Sequence, residues 1–262
     1  MAEANDLRRS DHHTGPGVIY KSAELSAQEV TDEELQAINR FALSPLAPEE
    51  VFTFRAVLCD NELDRQYEQF SVSALQQLQK LFLGKPVIKD HDHRADNQVA
   101  RIYRTELSQD GSRTTNSGET YTQLVAYCYM VRTAGNADLI REIEGGIKKE
   151  GSVGCSVAGS ICSICGANNT RANCAHYPGR TYSKDGEWRV CHFTLTGAKD
   201  AYEFSLVAVP AQRAAGVCKS YTGETIYAPE EDDPAEMDLR AKRLTLRARL
   251  AAQMAHDTND TE

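Results

Sequence analysis

AYEFSLVAVPA, residues 201–211, is an apolar run ending in proline and alanine, and it reads as the last strand of a globular domain. Its aromatic and β-branched residues suit a pleated, half-buried surface, and the strand pattern aims Glu203 inward. Upstream, GSVGCSV (151–157) reads as a short strand, with Ser152 and Gly154 on one face and Val153 and Cys155 on the other. GKPVIKDHDH (84–93) is a short strand running into a polar loop that carries His91 and His93. QVARIYRTEL (98–107) and TYTQLVAYCYMV (120–131) are strand candidates, separated by the Gly/Ser/Thr/Asn-rich stretch SQDGSRTTNSGE, which reads as a turn. VFTFRAVLC (51–59) is a further strand.

Helical patterns fall between these runs. SAQEVTDEELQAINRF (26–41) has a capping-box signature in Thr31 and Glu34, with Leu35, Ile38 and Phe41 on one face. SVSALQQLQKLFLG (71–84) should end at Gly84, and NADLIREIEGGI (136–147) is a third helix. Strands with intervening helices but no regular βαβ alternation imply an α+β fold, with a mostly antiparallel sheet or barrel.

Composition sets outer limits. The chain has 262 residues, enough for a real core, and its hydrophobic fraction of 41% is lowered by long polar ends. A formal charge of -9 gives no basic face, so no direct nucleic-acid role is expected. No apolar run approaches the ~20 residues that span a bilayer, and the N-terminus lacks a secretory apolar segment, so a cytoplasmic protein without a membrane role is expected. Residues 1–20 read as a disordered arm, 21–158 and 200–221 as the main domain, and 159–199 as a cysteine-rich insert. From 222 onward come an acidic run, Glu230 to Asp233, and an amphipathic stretch with Leu239, Leu244, Leu246 and Leu250, suited to a partner helix.

Five of the eight cysteines crowd into the 37 residues from Cys155 to Cys191. In a reducing compartment, clustered thiols point to metal more than to bridges. Cys162 and Cys165 form a C-x2-C knuckle, which lets two thiolates grip one tetrahedral ion, and Gly166 helps the backbone fold over it. Cys174 follows, and the fourth position falls to His176 or Cys191. A thiolate-rich site has no open position, so structural Zn2+ is expected rather than catalytic metal. Free thiols in a surface loop are the plain alternative.

Taken in order, KDHD, SVG and EFSLVAVPA resemble the prohead (head maturation) serine proteases of tailed phages and prophages, over roughly residues 50–218. NELDRQYEQFS, CSICG and the C-A-H triplet resemble a variant of that family with a cysteine insert. The resemblance implies a herpesvirus-assemblin-like β-barrel wrapped by helices, with His91 as base and Ser152 as nucleophile. Glu203 is the candidate to orient His91, and His93 competes for that role. Cys155, three residues from Ser152, is the alternative nucleophile, but only one of the two can face His91. The chain departs from the family pattern at Cys155, where an aromatic is usual, and at Ala100, where glycine is usual. The implied function is virion assembly: cleavage of major capsid protein and scaffold segments, and of itself, by a homodimer in the host cytoplasm or prohead interior. The contrasting expectation is a catalytically inactive structural or scaffolding head protein with a zinc-stabilised docking lobe.

Overall fold

The computed structural model describes residues 30–218. The polar arm, the beginning of the helix expected from Ser26, and the leucine-bearing tail lie outside the described residues.

The first helix, α1 (Asp32–Asn39), starts where its chemistry dictates. Thr31 Oγ1 accepts from Glu34 N–H, and Glu34 reaches back to the Thr31 N–H, a reciprocal cap whose loss costs about 1 kcal/mol. Ile38 is fully buried, whereas Phe41 lies beyond the helix, packed against Gly84. The chain then forms β1 (Val51–Asp60), the short β2 (Glu68–Phe70), α2 (Val72–Leu81) and β3 (Pro86–Lys89). Ser71 caps α2, which turns Leu75 and Leu78 into the core; each buried leucine contributes about 1.5–3 kcal/mol.

Next come β4 (Ala100–Thr114), β5 (Thr120–Val131) and α3 (Ala137–Glu144). The stretch 108–119 is mostly not a turn: β4 runs on through Thr114, and only the last few residues reverse the chain. Its polar side chains are tolerated because this end of the hairpin lies mostly in solvent, where the ladder needs no apolar face. The remaining strands are β6 (Gly151–Cys162), β7 (Thr181–Lys184), β8 (Glu187–Val190), β9 (Phe193–Leu206) and β10 (Gly216–Cys218). β6 is therefore longer than GSVGCSV and carries the chain directly to the first knuckle cysteine.

The fold is α+β with a mostly β core. Eight strands form one sheet in the order β10-β1-β5-β4-β3-β9-β2, with β6 also on β9, and β7 and β8 form a separate hairpin. Most pairs are antiparallel, but β2 and β3 both run parallel to β9. β9 organises the site: β6 lines one edge along its length, while the other edge takes β3 at 204–206 and β2 at 193–195. α2 packs against β9, β4 and β5, and Phe204, Leu75, Leu78 and Phe82 meet in the main core.

The expected barrel does not close. Among the described residues the two ends of the sheet meet at one isolated bridge, Glu150 to Gly216, and not in a ladder between β10 and β6. Gly216 allows even this contact only because it lacks a side chain; a Cβ there would sit 2.2 Å from the Lys149 carbonyl oxygen. No helix among the described residues is long and apolar enough to cross a membrane.

Candidate active site and metal centre

β3 brings His91 to β9. The parallel register places Ile88 opposite Ser205 and Lys89 opposite Leu206, and Asp90 N–H extends the pairing to the Leu206 carbonyl. The chain then reverses over Lys89–Asp92, closed by Asp92 N–H donating to Lys89 O at 3.0 Å. Asp90 and His91 both take φ of 53° there. Two consecutive left-handed residues are the mark of a tight hairpin-type turn, and each non-glycine residue in that region costs about 1–2 kcal/mol. At the end of this turn His91 Nδ1 lies 2.8 Å from Glu203 Oε1, and His91 N–H donates to Ser205 Oγ at 2.8 Å.

β6 supplies Ser152. In the β6–β9 ladder Ser152 faces Ser205, and Gly154 faces Glu203. Directly opposed residues share a face with Cβ atoms about 4.5–5.5 Å apart, so Ser152, Ser205 and Glu203 form one patch with His91. Among the described residues Ser152 Oγ makes no side-chain hydrogen bond; its nearest structural link to His91 runs through Ser205.

Glu203 is 1% exposed although it is a carboxylate, and its Oε2 has no hydrogen-bond partner among the described residues. A carboxyl group so deeply buried calls for a specific partner, and among the described residues His91 is the one it has. The ladder slips beside it: Gly154 pairs with Glu203 but Cys155 pairs with Ala201, leaving Tyr202 unpaired. Such a bulge re-aims neighbouring side chains, here leaving Tyr202 exposed and Glu203 buried.

The other candidates fall elsewhere. Cys155 packs against the main core with Val153, and burial, reinforced by Glu203 and Glu68, pushes its thiol up to about 11. It is thus a protonated, core-facing group at neutral pH, unlike a poised nucleophile. His93 is exposed and makes no hydrogen bond among the described residues.

At the far end of the β6–β9 pair lies the cysteine lobe. Cys162 ends β6, Gly166 N–H donates back to Cys162 O at 2.9 Å, and Gly166 takes φ of 73°, which closes the knuckle. Cys162, Cys165, Cys174 and His176 each present a ligand atom within 4.8 Å of the others, an arrangement that could hold a metal ion. Cys191 sits beside them, its Sγ 3.8 Å from that of Cys162. The lobe's small core is made of Cys162, Ile164 and Cys191, with Cys174, Tyr182 and Phe193 packed against it.

Two observations fit a cation. His176 Nδ1 is buried without a hydrogen-bond partner among the described residues, the sort of orphan a metal bond would satisfy. Hydrogen bonding, chiefly to the His176 main chain, pulls the Cys174 thiol down to about 6, while burial and neighbouring thiols raise Cys191. Adjacent thiols cannot all ionise without a positive charge among them, and three thiolates with one imidazole make a closed set.

The sequence singled out His91, Ser152 and Glu203 but not the role of Ser205; its only signal was the Glu-x-Ser spacing, which on a strand puts both residues on one face. The buried polar group of Asp60, Tyr121 and Gln212 was also missed, being assembled from positions far apart in the chain. Comparisons with family models, curated proteins and solved structures return no match for this chain.

Proposed function

We propose that this chain is a serine endopeptidase of the phage prohead-maturation type, with a structural Zn2+ in its cysteine lobe. The observation that carries the reading is the 2.8 Å contact of His91 Nδ1 with buried Glu203, on the face where Ser152 opposes Ser205. An ionised carboxylate can only accept, so Glu203 accepts a hydrogen bond from Nδ1–H, which keeps the proton on Nδ1 and leaves Nε2 as the basic nitrogen. The His91 side chain is 43% exposed, so the imidazole is not sealed off by its contact with Glu203. Ser152 Oγ forms a bond to the scissile carbonyl carbon as its proton passes to Nε2. The imidazolium returns that proton to the leaving amine, and water then releases the acyl group by the reverse use of the same base. Cys162, Cys165, Cys174 and His176 would hold the Zn2+ apart from these steps, and it would supply the cohesion that a lobe with so little apolar material lacks.

The expected substrates are segments of the major capsid and scaffold proteins. Co-expression with the cognate major capsid protein tests the reading. The wild type should shorten the capsid protein, and Ser152→Ala should abolish the shortening while leaving the fold intact. Full processing by that variant would assign the chemistry elsewhere. The competing reading, an inactive head protein with a metal-stabilised docking lobe, draws on the missing direct bond between Ser152 and His91. Folded wild-type protein that neither processes capsid protein nor reacts with a fluorophosphonate would select it.

A further inference from the structure

Resting on the hydrolase reading above, we propose that Ser205 is a positioning residue: its buried hydroxyl holds the His91 main chain in the left-handed turn from which the imidazole reaches Glu203. The turn needs such a hold. Asp90 and His91 both occupy a conformation that side chains of L-residues disfavour, and the closing bond, Asp92 N–H to Lys89 O, leaves the His91 N–H unused. Ser205 Oγ accepts that N–H at 2.8 Å from a position with no solvent exposure. Within the turn, water is thereby replaced by a fixed partner.

Geometry makes position 205 the place for this role. Ser205 is two residues from Glu203 on one strand, faces Ser152 on the next, and lies opposite Ile88 at the end of the strand that delivers His91. One hydroxyl therefore ties the histidine loop to the strand pair carrying both other groups. The His91 contacts with β9 are two, one main-chain and one side-chain, to residues on the same face. Removing the first frees the turn to relax, and the imidazole then loses its fixed approach to Oε1. A displacement of about 1 Å in a catalytic group costs up to about a hundredfold in rate.

The test reads His91 directly. Two-bond 1H–15N spectra of uniformly labelled protein, with His91 assigned by its loss in His91→Ala, report which ring nitrogen carries the proton. The wild type should show His91 protonated at Nδ1, distinct from an exposed imidazole such as His93. Ser205→Ala, and Ser205→Cys, which keeps the shape but is a poor acceptor, should collapse this pattern toward the exposed average. Both should slow fluorophosphonate labelling of Ser152 by between about tenfold and a hundredfold at saturating reagent, with little change in reagent affinity. Ser205→Thr, which keeps an Oγ, should restore both signals. A wild-type His91 pattern in folded Ser205→Ala and Ser205→Cys overturns the proposal, as does an imidazole already averaged in the wild type. If Ser152→Ala still reacts with the reagent, the hydrolase reading fails, and the His91 spectra still decide the role of Ser205.

Discussion

Gly154 lies directly opposite Glu203, and a Cβ added at 154 would come 2.4 Å from Glu203 Oε1, the oxygen that meets His91. The glycine is a steric requirement of the buried carboxylate. Any side chain there must displace the carboxylate that meets the His91 imidazole.

Gly154→Ala should therefore cost about 1–3 kcal/mol in stability, the usual scale for overpacking. It should also lower fluorophosphonate reactivity of Ser152 more than the stability loss explains. Urea denaturation and labelling rates on the same samples check both. Wild-type reactivity in this variant would mean that the carboxylate has no hold on the chemistry.

Glu203→Gln keeps the size of the side chain but replaces an obligatory acceptor with an amide. The imidazole can then adopt the wrong tautomer, a defect that costs about 10⁴ in the best-studied serine protease triad. We expect Ser152 reactivity to fall by at least about 10³, with far-ultraviolet circular dichroism unchanged.

Asp60 should give the protein a pH-dependent stability unrelated to the candidate active site. Burial, the largest cause, raises its carboxyl from 3.8 to about 6, against the lowering effects of hydrogen bonds from the Glu62 main chain and Tyr121. The folded state thus holds the proton more tightly than the unfolded state. The associated stability is fully present below about pH 4 and is lost as pH rises through about 6. The rise from 3.8 to about 6 corresponds to roughly 3 kcal/mol. Asp60→Asn should flatten the unfolding free energy between pH 4 and 7, measured by urea titration at each pH; an unchanged slope would assign it to other groups.

Metal analysis of purified protein should find about one zinc per chain. Cys174→Ala and His176→Ala should each lose it, whereas Cys191→Ser should retain it if the four clustered residues are the ligands. Loss of zinc from the Cys191 variant, with retention by the His176 variant, would exchange the two residues. A strong chelator should make the lobe between β6 and β9 protease-sensitive while the main sheet, whose core is separate, stays folded.

Much of the local structure was legible because it depends on near neighbours. The capping box at Thr31 and Glu34, the strand Thr120–Val131 and the helix following Ser71 follow from periodicity and capping alone. The polar continuation of β4 was hidden, since an exposed hairpin carries no apolar alternation to read. Closure of the sheet was hidden for a different reason: it turns on how β10 meets Glu150, a long-range contact that no local pattern encodes.

From its sequence alone this chain determined an α+β fold and a cysteine lobe with Cys162, Cys165 and Cys174 as close-spaced donors, the fourth left between His176 and Cys191. Loop closure over so few residues costs little, so spacing can foretell which side chains will meet. The tertiary structure alone decided that Glu203 faces His91, across 112 residues of chain, and that the sheet stays open. The reason is register: an unpaired Tyr202 in β9 and a left-handed turn after β3 set which groups share a face, and both are products of strand pairing at long range.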